Sequence, residues 1–197
     1  MPELTLQDLS VAHVGPVNLQ LAAGEIVCLS GASGTGKSLL LRAVADIIPH
    51  RGQVLLDAQS AAKIPAPQWR KQVGLLPAEN PWWHDQVSEH FRYQDNALLA
   101  ALGFEEATWQ WQVARCSTGE KQRLALLRML CNQPHCLLLD EPTASLDPEN
   151  TERVESLLRE YIARQQTPVL WVSHSREQIK RMAQRHFVLR AGILESV

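Results

Sequence analysis

The stretch Gly31-Ala32-Ser33-Gly34-Thr35-Gly36-Lys37-Ser38 constrains this chain more than any other. It follows the apolar run "EIVCLS" and precedes "SLLLRAVADII". Glycines at 31, 34 and 36 let backbone N–H groups turn inward around an anion, and the helix start adds free donors and positive potential. Lys37 is then placed to reach the β- and γ-phosphates of a nucleotide, and the Ser38 hydroxyl to face Mg²⁺. A glycine-rich turn with a chance lysine is the plain alternative. The order strand, loop, helix argues against it.

The rest of the chain repeats that alternation. "LTLQDLS" and "VNLQLAAG" read as strands before the loop, and "GQVLLDA", "QVGLLP", "CLLLDEP", "PVLWVSH" and "HFVLR" as strands after it. Helical stretches alternate with the later strands, so a parallel sheet covered on both faces is expected. The interval from 79 to 130 is Trp- and Ala-rich and reads as an inserted helical lobe. The core is then approximately 1–78 and 131–197, within one domain spanning 1–197. Asp147 and Pro148 suit the cap and first position of a helix. Val154, Leu157, Leu158, Tyr161 and Ile162 fall on its one apolar face.

Composition narrows the partners. Apolar residues make up 45% and charged residues 20%, with net charge −2, a balance that argues against a broad nucleic-acid footprint. No apolar run approaches the roughly 20 residues of a membrane span. The N-terminus lacks the basic and apolar regions of a secretory signal. Cys28, Cys116, Cys131 and Cys136 form no C-x-x-C pair, which fits a reduced cytosolic setting.

Asp140 and Glu141 close the apolar run "CLLLDE". In a parallel sheet that end faces the ligand crevice. Asp140 there suits the outer shell of Mg²⁺, and Glu141, just past the strand, is placed to polarise an attacking water. His174 follows "PVLWVS" at the same edge and is the candidate contact to a γ-phosphate. An acidic turn and a structural histidine are the bland readings of these residues, and the nearby phosphate loop decides against them.

"CSTGEKQR", residues 116–123, opens another helix. Ser117 and Glu120 match a capping box, which by itself accounts for a helix start. Gly119 is not required by a cap and costs about 1 kcal/mol against alanine in a helix. Its lack of a side chain opens the helix tip to close approach, and that tip favours anions.

Taken together, phosphate loop, "CSTGEKQR", "LLLDEPTASLD" and "VSH" resemble, in order and over the whole chain, the nucleotide-binding subunits of ABC transporters. The resemblance implies an α/β P-loop NTPase fold, with a RecA-like parallel core, an N-terminal antiparallel β portion and a helical lobe. It implies head-to-tail dimers with two ATP molecules between them, each with Mg²⁺. Residues 31–38 would hold ATP in one subunit, and Ser117, Gly119 and Asp147 of the other would complete the site in trans. The implied setting is cytoplasmic, peripheral on the inner face of the cell membrane, with an integral membrane permease as partner. Three departures stand out. Thr118 replaces the family's second signature glycine. Ala78 aligns with a glutamine that senses Mg²⁺ and water, leaving Glu79 as the available metal-side substitute. No aromatic residue precedes the phosphate loop where the family stacks one on adenine; His13 is the nearest candidate.

Three functions fit such residues. An ATP-hydrolysing transporter subunit uses all the motifs. An ABC-type ATPase acting on nucleic acid or ribosomes would carry coiled coils, zinc insertions or a second cassette. A P-loop small-molecule kinase would not need residues 117–123. The transporter subunit is the reading that leaves no motif unused.

Overall fold

The computed structural model describes residues 2–197, which build two sheets around the phosphate loop. The first is antiparallel. It contains β1 (Leu4–Val11), β2 (Val14–Leu21), β4 (Arg51–Leu56) and the short β5 (Gln59–Ser60), in the order β2-β1-β4-β5. The second contains β3 (Ile26–Ser30), β6 (Val73–Leu76), β7 (Cys136–Asp140), β8 (Val169–Val172), β9 (Arg185–Arg190) and β10 (Ile193–Ser196). Its order is β10-β9-β3-β8-β7-β6. All its pairings are parallel except the β9–β10 hairpin at the edge.

The parallel strands read as unbroken apolar runs because both of their faces are covered. Successive side chains point to opposite faces. Leu137 and Leu139 of β7, with Cys28 and Trp171, enter one hydrophobic cluster. Cys136 and Leu138, with Val27, Leu29, Leu170 and Val172, enter the other, against the antiparallel sheet and α1 (Lys37–Val44).

The first cluster is closed by α4 (Thr118–Leu130) and α5 (Pro148–Gln165). As the pattern required, Val154, Leu157, Leu158, Tyr161 and Ile162 of α5 are all buried. Asp147 caps α5 by accepting from the Asn150 N–H at 2.8 Å. The interval between β6 and β7 is less regularly helical than its composition implies. It contains α3 (Asn96–Ala101) and α4, joined by 3₁₀ segments at Val87–His90, Glu106–Gln110 and Val113–Arg115. Val87, Leu99, Trp109 and Val113 from this interval share one cluster with Ile26 and Leu139 of the sheet. The inserted segment therefore has no core separate from the sheet it covers. Two short helices complete the chain: α2 (Ala66–Gln72), whose Trp69 is fully buried, and α6 (Arg176–Met182) after β8.

A candidate nucleotide site at the strand ends

The phosphate loop lies where β3 gives way to α1. Gly31, Gly34 and Gly36 take φ values of 145°, 79° and 102°. A Cβ on Gly36 would collide with Val14 Cγ2, and one on Gly31 would stand 2.5 Å from the Leu189 carbonyl oxygen. Gly34 has open space beside it, so there only the backbone conformation calls for glycine. Ser33 and Ala32 are exposed on the loop crest, and Thr35 bonds back to the Ala32 carbonyl at 2.9 Å. No side chain caps α1, so its first N–H groups stay free for an anion.

Lys37 is 7% exposed and folds over this loop, donating to the carbonyls of Gly31 and Ala32 at 2.9 Å each. Burial lowers its pKa below the usual lysine value, while Glu141 and Asp140 act in the opposite direction. That coupling places both carboxylates beside the loop. Ser38, on the first turn of α1, is half-buried.

The neighbouring strand ends bring up the remaining groups. Asp140 pairs in register with Val172, and the Glu141 N–H bonds to the Val172 carbonyl at 3.1 Å. The Ser173 N–H bonds to the Leu29 carbonyl at 3.2 Å, which sets His174 above the end of β3. His174 Nε2 lies 3.1 Å from Glu141 Oε1. Glu141 itself has φ 52°, a left-handed conformation that costs a non-glycine residue about 1–2 kcal/mol. Asp140 is 5% exposed, with no side-chain hydrogen bond among the described residues. A buried carboxylate without a side-chain hydrogen bond, coupled to Lys37 of the loop, fits Mg²⁺ that arrives with nucleotide. Such an ion takes only one or two protein oxygens and completes its shell from phosphate and water.

The signature segment stands apart. Ser117 caps α4, accepting from the Glu120 N–H at 3.2 Å, while Glu120 accepts from the Ser117 N–H at 2.7 Å. Ser117 and Thr118 are exposed, or nearly so, and no hydrogen bond joins this helix tip to the phosphate loop among the described residues. Gly119 has a reason within its own chain that local sequence did not reveal. A Cβ there would stand 3.0 Å from the Ser145 carbonyl oxygen and 3.3 Å from Leu146 Cδ2, in the loop leading to Asp147.

The loop after β6 differs from expectation in emphasis. Ala78 and Glu79 are exposed. The inward residue is Asn80, whose Nδ2 donates to Gln122 Oε1 at 2.8 Å and to the Pro77 carbonyl at 3.1 Å. An amide one position past an acidic residue is a weak local signal, and its partner lies 42 residues away. Trp82 packs partly buried against the first cluster and Trp83 is 61% exposed; the Arg128 guanidinium lies over both rings, 4.7 and 4.8 Å from their centroids. His13, in the β1–β2 turn, sits beside the loop: its Nε2 is 3.2 Å from where a Cβ on Gly36 would be.

A glycine loop feeding a helix, with paired carboxylates and a histidine on adjacent parallel strand ends, defines a P-loop nucleotide hydrolase. The ABC transporter family model matches residues 14–144, and the chain belongs to that family. It is 32% identical over 176 residues to the probable iron export ATP-binding protein FetA of Escherichia coli (strain K12), covering 83% of this chain and 78% of that protein. It is 37% identical over 197 residues to the Fe(3+) ions import ATP-binding protein FbpC of Streptomyces coelicolor, covering 92% of this chain and 56% of that one. The chain thus spans about half the length of some curated relatives and over two thirds of others. A bacterial Atm1-family ABC exporter with ATP bound superimposes with a TM-score of 0.87 at 23% identity, over 98% of this chain and 38% of that one, and shares the fold. ATP-binding subunits of this family are ATPases, and the chain is one of them.

Proposed function

We propose that the chain powers a separate membrane permease by ATP-driven closure of a head-to-tail dimer. The observation that carries this reading is the split arrangement of its groups. Lys37, Asp140, Glu141 and His174 gather at one sheet edge, whereas Ser117 and Gly119 present an open helix tip elsewhere on the surface. A second copy supplies that tip to complete each site, with Asp147 at the seam.

Residues 31–38 cradle the phosphates of ATP, and Lys37 exchanges its two loop carbonyls for β- and γ-phosphate oxygens. Ser38 and Asp140 hold Mg²⁺, which supplies charge neutralisation of the phosphates. Glu141 takes a proton from the attacking water, and His174 moves from Glu141 to the γ-phosphate. His13 flanks the base at the open side of the loop, a looser platform than an aromatic ring. Glu79 reaches the metal side only if its exposed loop folds inward on closure. The relatives named for import and export support a permease partner, which draws the chain to the inner membrane face.

Glu141→Gln tests this directly. With Mg²⁺ and ATP it is expected to bind nucleotide, stop turning over and accumulate as a dimer on size exclusion. A variant that hydrolyses at the wild-type rate as a monomer would overturn the reading. Affinity purification from solubilised membranes should recover one multi-span protein.

A further inference from the structure

Behind the Glu141–His174 pair lies a closed polar network that neither the phosphate loop nor the signature uses. Glu155, on α5, is 2% exposed, an unusual place for a carboxylate. It is held by Arg181 of α6, with Nη2–Oε1 at 2.7 Å and Nε–Oε2 at 3.1 Å. Its Oε1 also accepts from Gln178 Nε2 at 2.9 Å. Gln178 is itself 4% exposed and fully engaged. Its Nε2 also donates to Thr143 Oγ1 at 2.8 Å, and its Oε1 accepts from Ser173 Oγ at 2.8 Å.

Thr143 lies two residues past Glu141, and Ser173 directly precedes His174. We propose that Gln178 is a positioning residue for hydrolysis, clamping the loops that carry Glu141 and His174 at a fixed separation, with Glu155 and Arg181 locking its amide. The proposal rests on those two residues acting as described above. A cavity of about 250 Å³ lies beside the two loops, lined by Glu141, Thr143, Ser173, His174, Gln178 and Arg181. The Glu141–His174 contact bridges the loops at its exposed side, and the clamp ties them together at its buried side. Its stiffness matters because small displacements of catalytic groups carry large rate penalties. Glu155 stays ionised within it. Burial alone would raise its pKa, but hydrogen bonds from Arg181 and Gln178 outweigh burial and lower it. The titratable and charged groups facing the network are Arg159 and Glu152 from α5, Arg181 and Glu177 from α6 and, across the cavity, Glu141 and His174.

The decisive experiment is an exchange. Gln178→Leu removes the clamp. It is expected to lower kcat roughly 10- to 100-fold while ATP affinity stays within about twofold, since no phosphate-binding group is touched. Gln178→Glu places a carboxylate against Glu155. Its kcat is expected to be low at pH 8 and to recover as pH falls toward about 6, when a shared proton restores the missing donor. Adding Glu155→Gln to Gln178→Glu swaps amide and carboxylate and should restore activity without acidification. A merely structural role would not produce the pH-dependent loss or the rescue. The proposal falls if the folded Gln178→Leu variant keeps its kcat, or if the exchanged pair is no better than either single variant. Glu141→Gln run alongside separates the two readings: full activity there overturns the catalytic assignment, whereas inactivity there with an active Gln178→Leu overturns only the clamp.

Discussion

His174 Nε2 stands 3.1 Å from Glu141 Oε1, bridging the exits of adjacent strands β8 and β7. Their side chains are 49% and 34% exposed, so the contact contributes little to folding. In the mechanism proposed above, it holds a base and a phosphate contact ready on the same edge as Lys37. His174→Ala is therefore expected to leave the melting temperature within about 2 °C, as a surface pair worth under about 1 kcal/mol requires. Hydrolysis should fall by roughly 10²-fold or more, the scale of a lost proton-transfer or charge-stabilising group. Paired calorimetry and steady-state ATPase assays check both halves.

Glu141 adopts φ 52°, so its placement carries backbone strain. Asparagine tolerates this conformation better than glutamate. Glu141→Asn should raise stability by about 0.5–1 kcal/mol, or roughly 1–3 °C in Tm, while abolishing turnover. A thermal scan showing destabilisation would mean that contacts of the glutamate side chain outweigh the strain at this position.

Lys37 donates to the Gly31 and Ala32 carbonyls. On the proposed function those bonds are exchanged for phosphate, which offers charged oxygens where the loop offers neutral ones. Lys37→Ala should weaken ATP binding by at least about tenfold, since charge-assisted bonds are worth about 1.5–3 kcal/mol. Titration calorimetry with ATP and Mg²⁺ measures it directly, and unchanged affinity would contradict the loop's assignment.

Gly119 offers a sharper separation of fold from function. Alanine there gains about 1 kcal/mol of helix propensity. It also meets the Ser145 carbonyl at 3.0 Å, a tight contact that opposes this gain. Stability should barely change. The Ser145–Leu146 loop, however, must shift by a few tenths of an ångström, carrying Asp147 with it. Hydrolysis that depends on protein concentration is expected to fall several-fold, read as the slope of specific activity against concentration.

What the sequence makes visible depends on the reach of each interaction. The phosphate loop, the α5 cap at Asp147 and the Ser117–Glu120 box are contacts within a few residues, so a local pattern carries them. Strand-end placement of Asp140, Glu141 and His174 follows from one rule about parallel sheets. The groups that stayed hidden join distant segments. Gln178 meets Thr143 across 35 residues and Glu155 across 23, and Asn80 meets Gln122 across 42. Gly119 was legible as an anomaly but not its cause, because the loop pressing on it belongs to another part of the chain. In α5, the one hint was an acidic residue, Glu155, beside an apolar face.

That buried carboxylate also sets an acid limit on the fold. Burial pushes the Glu155 pKa up, but the bonds from Arg181 and Gln178, with the charges of Arg181 and Arg159, together hold it below its ordinary value of 4.5. A group whose pKa is lowered by folding binds fewer protons in the folded state than in the unfolded one. Its stabilisation is therefore fully present above pH 4.5 and is lost as pH falls through the lower folded value. Wild-type Tm should drop across that acid window. Glu155→Gln should begin lower at neutral pH, because Arg181 loses its buried anion, and should decline less steeply on acidification. Two parallel Tm-against-pH curves from about pH 7 to 3 would count against Glu155 as the group responsible, and converging curves would support it.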